Sequence, residues 1–177
     1  MQDAQPRFLP LAAKIAVCHT LTYFLMGALA FHFLHYAELL AQPCSGMRPL
    51  NDPLVMGGIF FQPLRGLLFA TVFYPFRERL FGRARGWLLM GWMLIALGIL
   101  GTFAAPAGSM EGFIYTTTPV LQQMRGWLEI VTQALLLSAL LCYWVNHPGK
   151  KWLTWVLTAP FCLLLAFMVF ALVVTKR

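Results

Sequence analysis

The sequence predicts an all-α integral membrane protein, a bundle of five transmembrane helices in a single domain that covers residues 1–177. Of the 177 residues, 60% are hydrophobic and only 11% are charged, and the mean hydropathy is +0.72. A soluble domain carries about a quarter charged residues, so this chain lacks the polar side chains that would cover a water-soluble globule. The apolar residues also fall into five runs near the roughly 20 residues that cross a bilayer. Nucleic-acid-binding, secreted disulfide-rich and disordered proteins are excluded on the same ground.

The first two spans have clear limits in the sequence. The first apolar run, 14–40, is longer than the core of a signal peptide and has no cleavage site after it, so we interpret it as a retained helix. The second begins at Asp52 and Pro53, because an Asp side chain caps a helix and a proline at the first helical position loses no hydrogen bond.

Turns and basic segments separate the remaining spans. Pro75 ends the second span, and a basic hairpin at 77–85 leads into the third. Pro106 and Gly108 end the third span, and a basic turn at 146–151 lies between the fourth and the fifth. The five predicted spans are 14–40, 53–74, 87–104, 113–145 and 152–174.

The distribution of Lys and Arg predicts the orientation. Five spans put the two termini on opposite sides, and cytoplasmic loops are enriched in basic residues. A cytoplasmic N-terminus leaves only Arg48, Lys176 and Arg177 outside. It places eight basic residues inside: Arg7, Lys14, Arg77, Arg79, Arg83, Arg85, Lys150 and Lys151. We therefore expect a multi-pass protein of a bacterial inner membrane, with its C-terminus outside.

One motif occurs twice, 60 residues apart. Residues 62–68 read QPLRGLL and residues 122–128 read QQMRGWL, with four identities in seven. Each copy precedes a basic turn and a helix opened by a tryptophan, Trp87 or Trp152. This pattern predicts a duplicated two-helix hairpin plus one extra N-terminal helix. Chance similarity is the alternative.

Polar side chains inside the second and fourth spans are the candidate ligand-binding residues. A charge at mid-membrane costs about 3 kcal/mol on insertion scales, and polar residues three and four apart share one helix face. Two arginines there face a single carboxylate, Glu129, so an anion would complete the site. A buried ion network is the alternative. The candidates are Arg65, Arg125, Glu129, Gln62, Gln122 and Gln133.

Histidines give a weaker signal. His32 and His35 are three residues apart on the first span, with Glu38 one turn further, and are weak candidates for binding a metal or haem. Interfacial histidines bonded to water or headgroups are the simpler interpretation. The four cysteines show no metal-ligand spacing. No nucleophile triad, glycine-rich phosphate loop or pair of catalytic carboxylates is present in the sequence, so no catalytic constellation is predicted.

These observations predict a small polytopic membrane protein that binds an anionic lipid-like or small organic ligand in an intramembrane pocket between spans two and four. A bound lipid is the expected ligand, and membrane lipids are the expected surroundings. One alternative is a non-catalytic anchor or accessory subunit of a larger membrane complex or homo-oligomer, whose arginines meet a partner's carboxylates. Another is a haem- or quinone-linked redox subunit that uses His32 or His35.

Overall fold

In the computed structural model, the chain is helical and has no strand over the residues that the structure describes, 6–35, 38, 52–100 and 108–175. The helices are α1 (Phe8–Phe33), α2 (Pro53–Phe73), α3 (Arg77–Leu80), α4 (Gly86–Ile95), α5 (Gly112–Tyr115), α6 (Val120–Asn146) and α7 (Lys151–Thr175). A 3₁₀ turn, Tyr74–Phe76, continues α2, and a π-helical segment, Ala96–Leu100, continues α4.

Three of these helices are long and apolar enough to cross a membrane. They are Phe8–Phe33, Val120–Asn146 and Lys151–Ala171. Helix α4 with its π-helical continuation is a shorter apolar helix, and α2 has 21 residues with Pro63 inside it. The helical membrane-protein class is thus supported, whereas the five-span bundle stays a prediction.

Three predicted boundaries differ from the observed helices. The first predicted span reaches residue 40, but α1 ends at Phe33, and His35 has a positive φ of 53° that is not helical. Helix α1 starts at Phe8, ahead of Lys14, directly after Arg7, whose backbone is extended (φ −70°, ψ 154°). The Lys14 ammonium, inside the helix, donates to the Trp144 carbonyl oxygen (3.3 Å) and lies 5.2 Å from the centroid of its ring. The predicted start of the fourth span at residue 113 falls in the short helix α5, and α6 begins only after Pro119. A residue that precedes proline is pushed out of helical geometry, which separates the two helices.

Helix α1 is the centre of the bundle. It packs against α2, α6 and α7, while α4 packs against α6. The core is a single cluster of apolar side chains from these helices, and α1 contributes Leu11, Ile15 and Cys18 to it, each with at most 1% of its surface exposed. Because α1 is buried on several sides, its sequence is apolar all round rather than amphipathic.

Helices α1 and α2 approach each other closely at Gly66. A Cβ atom built on Gly66 would lie 2.5 Å from the Cα of Ala16 on α1. Small residues let transmembrane helices approach this closely. Gly126, its counterpart in the sequence motif, has no such neighbour within 4 Å among the described residues. The two copies of the motif therefore have different packing environments, and the duplication stays a prediction.

We expect Gly66→Ala to destabilise the protein by about 1–3 kcal/mol, because the methyl group overlaps the α1 backbone and the helices must move apart. Gly126→Ala is the matched control, and it should be neutral or stabilising by up to about 1 kcal/mol through helix propensity. The free energy of unfolding in mixed detergent micelles, followed by circular dichroism, measures both. Equal effects would mean that the α1–α2 approach at Gly66 is not close.

Candidate functional site

The six residues that the sequence predicts to bind a ligand lie on two different helices, α2 and α6. Among the described residues these two helices have little direct contact with each other, and α1 packs against both. Helix α2 carries Gln62 and Arg65, and the other four residues lie on α6. The predicted intramembrane site between spans two and four stays a prediction. Glu129 and Gln133 are half-buried. The residues on α6 are Gln122, Arg125, Glu129 and Gln133.

Gln62 is buried at the α1–α2 interface and bonded to His19. Its Nε2 donates to the Gly58 carbonyl oxygen (3.3 Å), which leaves Oε1 facing His19 Nε2 at 3.2 Å. His19 Nε2 therefore carries the proton. His19 Nδ1 is buried and has no hydrogen-bond partner among the described residues. Sequence reasoning assigned His19 no role. The available signal was a cluster of polar residues, His19, Thr20 and Thr22, within an apolar helix.

Arg65 and Arg125 both lie at the surface of the bundle. The Arg65 guanidinium carbon lies 5.6 Å from the centroid of the Phe69 ring. Phe69 in turn meets the His19 ring edge to face, with centroids 4.9 Å apart. Both arginines are exposed, and an anion site that the two share stays a prediction.

On α6 the fully buried glutamine is Gln123, and the predicted Gln122 is only half-buried. Gln123 Oε1 accepts a hydrogen bond from the backbone N–H of Gly108 (3.1 Å), and its Nε2 donates to the Thr118 carbonyl oxygen (2.9 Å). The Trp127 indole N–H donates to the Gly108 carbonyl oxygen (2.6 Å). Gln123 therefore fastens the loop that precedes α6 onto the helix, which is a structural role.

We expect Gln123→Leu to release this loop. Leaving buried backbone groups without partners costs about 1–3 kcal/mol per group, so the Gly108 amide should exchange with solvent faster, by tenfold or more. Hydrogen exchange followed by mass spectrometry on peptides that begin at least two residues before Gly108 and extend to residue 118 measures this, with Gln122→Leu as the control. Unchanged exchange in Gln123→Leu would show that the loop is held by other contacts.

The two histidine candidates lie in exposed positions near the end of α1. His32 packs edge to face on Phe33 (centroids 4.9 Å apart), and His35 Nδ1 lies 3.7 Å from the Glu38 carboxylate. Within the described ranges, no group of three or more His, Cys, Asp or Glu side chains could hold a metal ion. Haem or metal binding at these residues stays a prediction.

Three contacts bring three chain segments together at one end of the bundle: the start of α1, residues 74–82 and the end of α6. Phe8 packs edge to face on Tyr74 (centroids 5.2 Å apart). The Gly82 backbone N–H donates to Asn146 Oδ1 (2.8 Å), and Lys14 bonds to the end of α6 as described above. We call this the basic end. It groups the eight residues that sequence reasoning placed on one side: Arg7, Lys14, Arg77, Arg79, Arg83, Arg85, Lys150 and Lys151.

The basic end contains an open cavity of about 880 Å³ between the 77–85 hairpin and the last turns of α6. Arg83 is its charged lining residue, Trp87 forms part of its wall, and no Asp or Glu is among the described residues that line it. The other polar side chains that line the cavity are Tyr143, Asn146 and His147.

Hydrogen bonds orient the polar groups of this cavity. The Arg83 Nε donates to the Glu78 carbonyl oxygen (3.1 Å), which leaves the two terminal nitrogens of the guanidinium for other partners. His147 Nδ1 donates to the Tyr143 carbonyl oxygen (2.8 Å). The Lys150 ammonium donates to the Tyr143 hydroxyl and lies 4.7 Å from the centroid of the Tyr143 ring. The Glu78 carboxylate lies 3.7 Å from an Arg77 nitrogen, so its charge is directed to Arg77.

Two glycines, Gly82 in the hairpin and Gly86 at the start of α4, give the cavity at the basic end its shape. Gly82 has a φ of +73°, a conformation that side-chain-bearing residues rarely adopt, and it makes the turn that puts Arg83 beside α6. A Cβ on Gly86 would lie 1.9 Å from the Leu80 carbonyl oxygen, so only glycine lets α4 start against α3. Sequence reasoning found the basic residues but used them only for orientation.

No known protein family, curated protein or solved structure matches the chain.

Proposed function

We propose that the protein is a five-span membrane protein with a cytoplasmic N-terminus that binds an anionic lipid headgroup in the cavity at its basic end. The observation that carries this proposal is a cavity lined by Arg83 and His147, next to Lys150, with no carboxylate among the described lining residues. Basic pockets between transmembrane helices on the cytoplasmic side are a recurrent way of binding anionic lipid headgroups.

The chemistry of the lining residues suits a phosphate. A guanidinium presents its donors in a planar fork that matches two phosphate oxygens. Since the Tyr143 oxygen accepts a hydrogen bond from Lys150, the hydroxyl hydrogen is free to donate to an anion. With Nδ1 of His147 bonded to a backbone carbonyl, Nε2 is its remaining polar atom. These groups bind and orient; none of them requires a chemical step.

The surroundings suit a lipid rather than a soluble anion. Trp87 lines the cavity, while Trp152 and Trp155 are exposed near the start of α7. Tryptophans are enriched at the level of the headgroups in membranes. Helix α7 exposes apolar side chains along most of its length, which leaves room for acyl chains beside the cavity. The most exposed of these beyond the tryptophans are Leu163, Phe167 and Phe170.

The loss of Arg83 tests this proposal. We expect Arg83→Gln to lower retention of phosphatidylglycerol by about tenfold or more, since a charge-assisted hydrogen bond contributes about 1.5–3 kcal/mol. Arg79→Gln is the matched control, because it removes one exposed charge from the same hairpin without touching the cavity. Native mass spectrometry of protein released from mixed phosphatidylglycerol–phosphatidylcholine micelles counts the retained lipids. Equal losses in the two variants, or no preference for the anionic lipid, would contradict headgroup binding at this site.

The proposed orientation has its own test. In a background without Cys44 and Cys162, we expect Glu111→Cys to react with a membrane-impermeant maleimide on intact cells. Ala84→Cys should react only after permeabilisation, because the basic end then faces the cytoplasm. Neither change removes a basic residue, so the charge distribution that sets the topology is preserved. The reverse labelling pattern would overturn the orientation and place the cavity on the outer side.

A further inference from the structure

Helix α2 exposes an apolar stripe with one charge in it. Phe61, Leu68 and Val72 are 52%, 54% and 45% exposed, and Arg65 is exposed between them. Their spacing of four, three and four residues places all four on one line along the helix. This is the spacing of the residues that form the seam between two packed helices. We call these four residues the Arg65 seam.

The Arg65 seam points away from the rest of the bundle. The opposite side of α2 is buried and includes Gln62, Ala70 and Phe73, with 5%, 0% and 1% of their surfaces exposed. That side packs on α1, with Gly66 against Ala16. Within the part of the chain that the structure describes, the seam is therefore an unpartnered face on a helix that is already fixed to the bundle.

The charge of Arg65 is uncompensated among residues 6–35, 38, 52–100 and 108–175. Its described contact is the face of Phe69, and no ion pair joins it to a described carboxylate. Arg65 lies twelve residues from Pro53 and eight from Phe73, or about 18 Å and 12 Å from the helix ends at 1.5 Å per residue. The guanidinium extends over Phe69 and is still one turn short of Phe73. If α2 spans the membrane, the backbone of Arg65 lies within the hydrocarbon core, where an unpaired charge is costly.

We infer that the Arg65 seam docks a transmembrane helix of another protein that presents a carboxylate opposite Arg65. The inference relies on the proposed span of α2, and it does not depend on lipid binding at the basic end. A carboxylate would neutralise Arg65 through a bidentate pair, and apolar side chains of the partner would fill the positions beside Phe61, Leu68 and Val72.

A second copy of this chain fits the seam poorly. Among the described residues, Glu129 on α6 is the carboxylate that lies within a long helix. It is seventeen residues from Asn146 at the basic end. That is about 25 Å, against about 12 Å for Arg65. Two copies with the same orientation in one membrane would therefore hold Glu129 and Arg65 at different depths.

The test uses the full-length protein in phosphatidylcholine vesicles with a leucine-rich transmembrane peptide that carries one Glu eight residues from its cytoplasmic end. Two matched peptides carry Gln or Lys at the same position. Association is measured by energy transfer between dyes on peptide and protein. We expect the Glu peptide to associate about tenfold more tightly than the Gln peptide, the scale of a polar contact between membrane helices.

Variants of Arg65 show whether this residue causes the preference for the Glu peptide. Arg65→Gln should abolish the preference for Glu, Arg65→Glu should transfer it to the Lys peptide, and Arg125→Gln, which removes another exposed arginine, should preserve it. Equal association of the Glu and Gln peptides, or a preference that survives Arg65→Gln, would overturn the proposal. Self-association of the protein that requires Arg65 would also overturn it, in favour of a second copy.

Measuring the depth of α2 in the bilayer distinguishes an error in the docking proposal from an error in the proposed topology. A spin label on Leu64→Cys, in a background without Cys44 and Cys162, should be relaxed more by oxygen than by a water-soluble nickel complex if α2 spans the bilayer. Loss of the peptide preference with a deeply placed label would refute the seam alone. A water-accessible label would remove the premise for both the seam and the five-span bundle.

Discussion

The burial of α1 is the constraint on which the other helices depend. It packs against α2, α6 and α7, and the backbones of α1 and α2 come together at Ala16 and Gly66. In lipid there is no hydrophobic force between helices, so close van der Waals packing and interhelical hydrogen bonds must hold them. The α1–α2 pair has both, since His19 bonds to Gln62 next to the close approach.

This central position of α1 determines what the polar residues of α2 and α6 can do. Helix α1 packs against both of them, and the exposed arginines lie on different helices, Arg65 on α2 and Arg125 on α6. The same packing brings the start of α1 to the end of α6, where the hairpin and the α6–α7 turn close around the basic cavity. The fold thus places its concave site at one end and its buried polar contacts in the middle.

The sequence predicted the helical membrane class and the grouping of basic residues, because hydropathy and charge act over whole segments. It could not predict which helices are neighbours. Gln62 and Gln122 match in the repeated motif. Of the glutamines that the structure describes, however, the buried ones are Gln62 and Gln123, which bond to different partners: a histidine on another helix and a preceding loop. Helix contacts decide such differences, and a seven-residue motif carries no information on them.

The contact of Lys14 with Trp144 has a consequence for the order of biogenesis. The two residues are 130 positions apart. At about 5–20 residues per second of synthesis, α1 exists for roughly 7–26 s before its acceptor is made. During that interval the Lys14 ammonium must be satisfied by water or headgroups near the start of the helix. The native arrangement of α1 is therefore reached by an exchange of partners after α6 emerges, and a nascent chain that stops before residue 144 lacks the bond that holds the two helices together at the basic end.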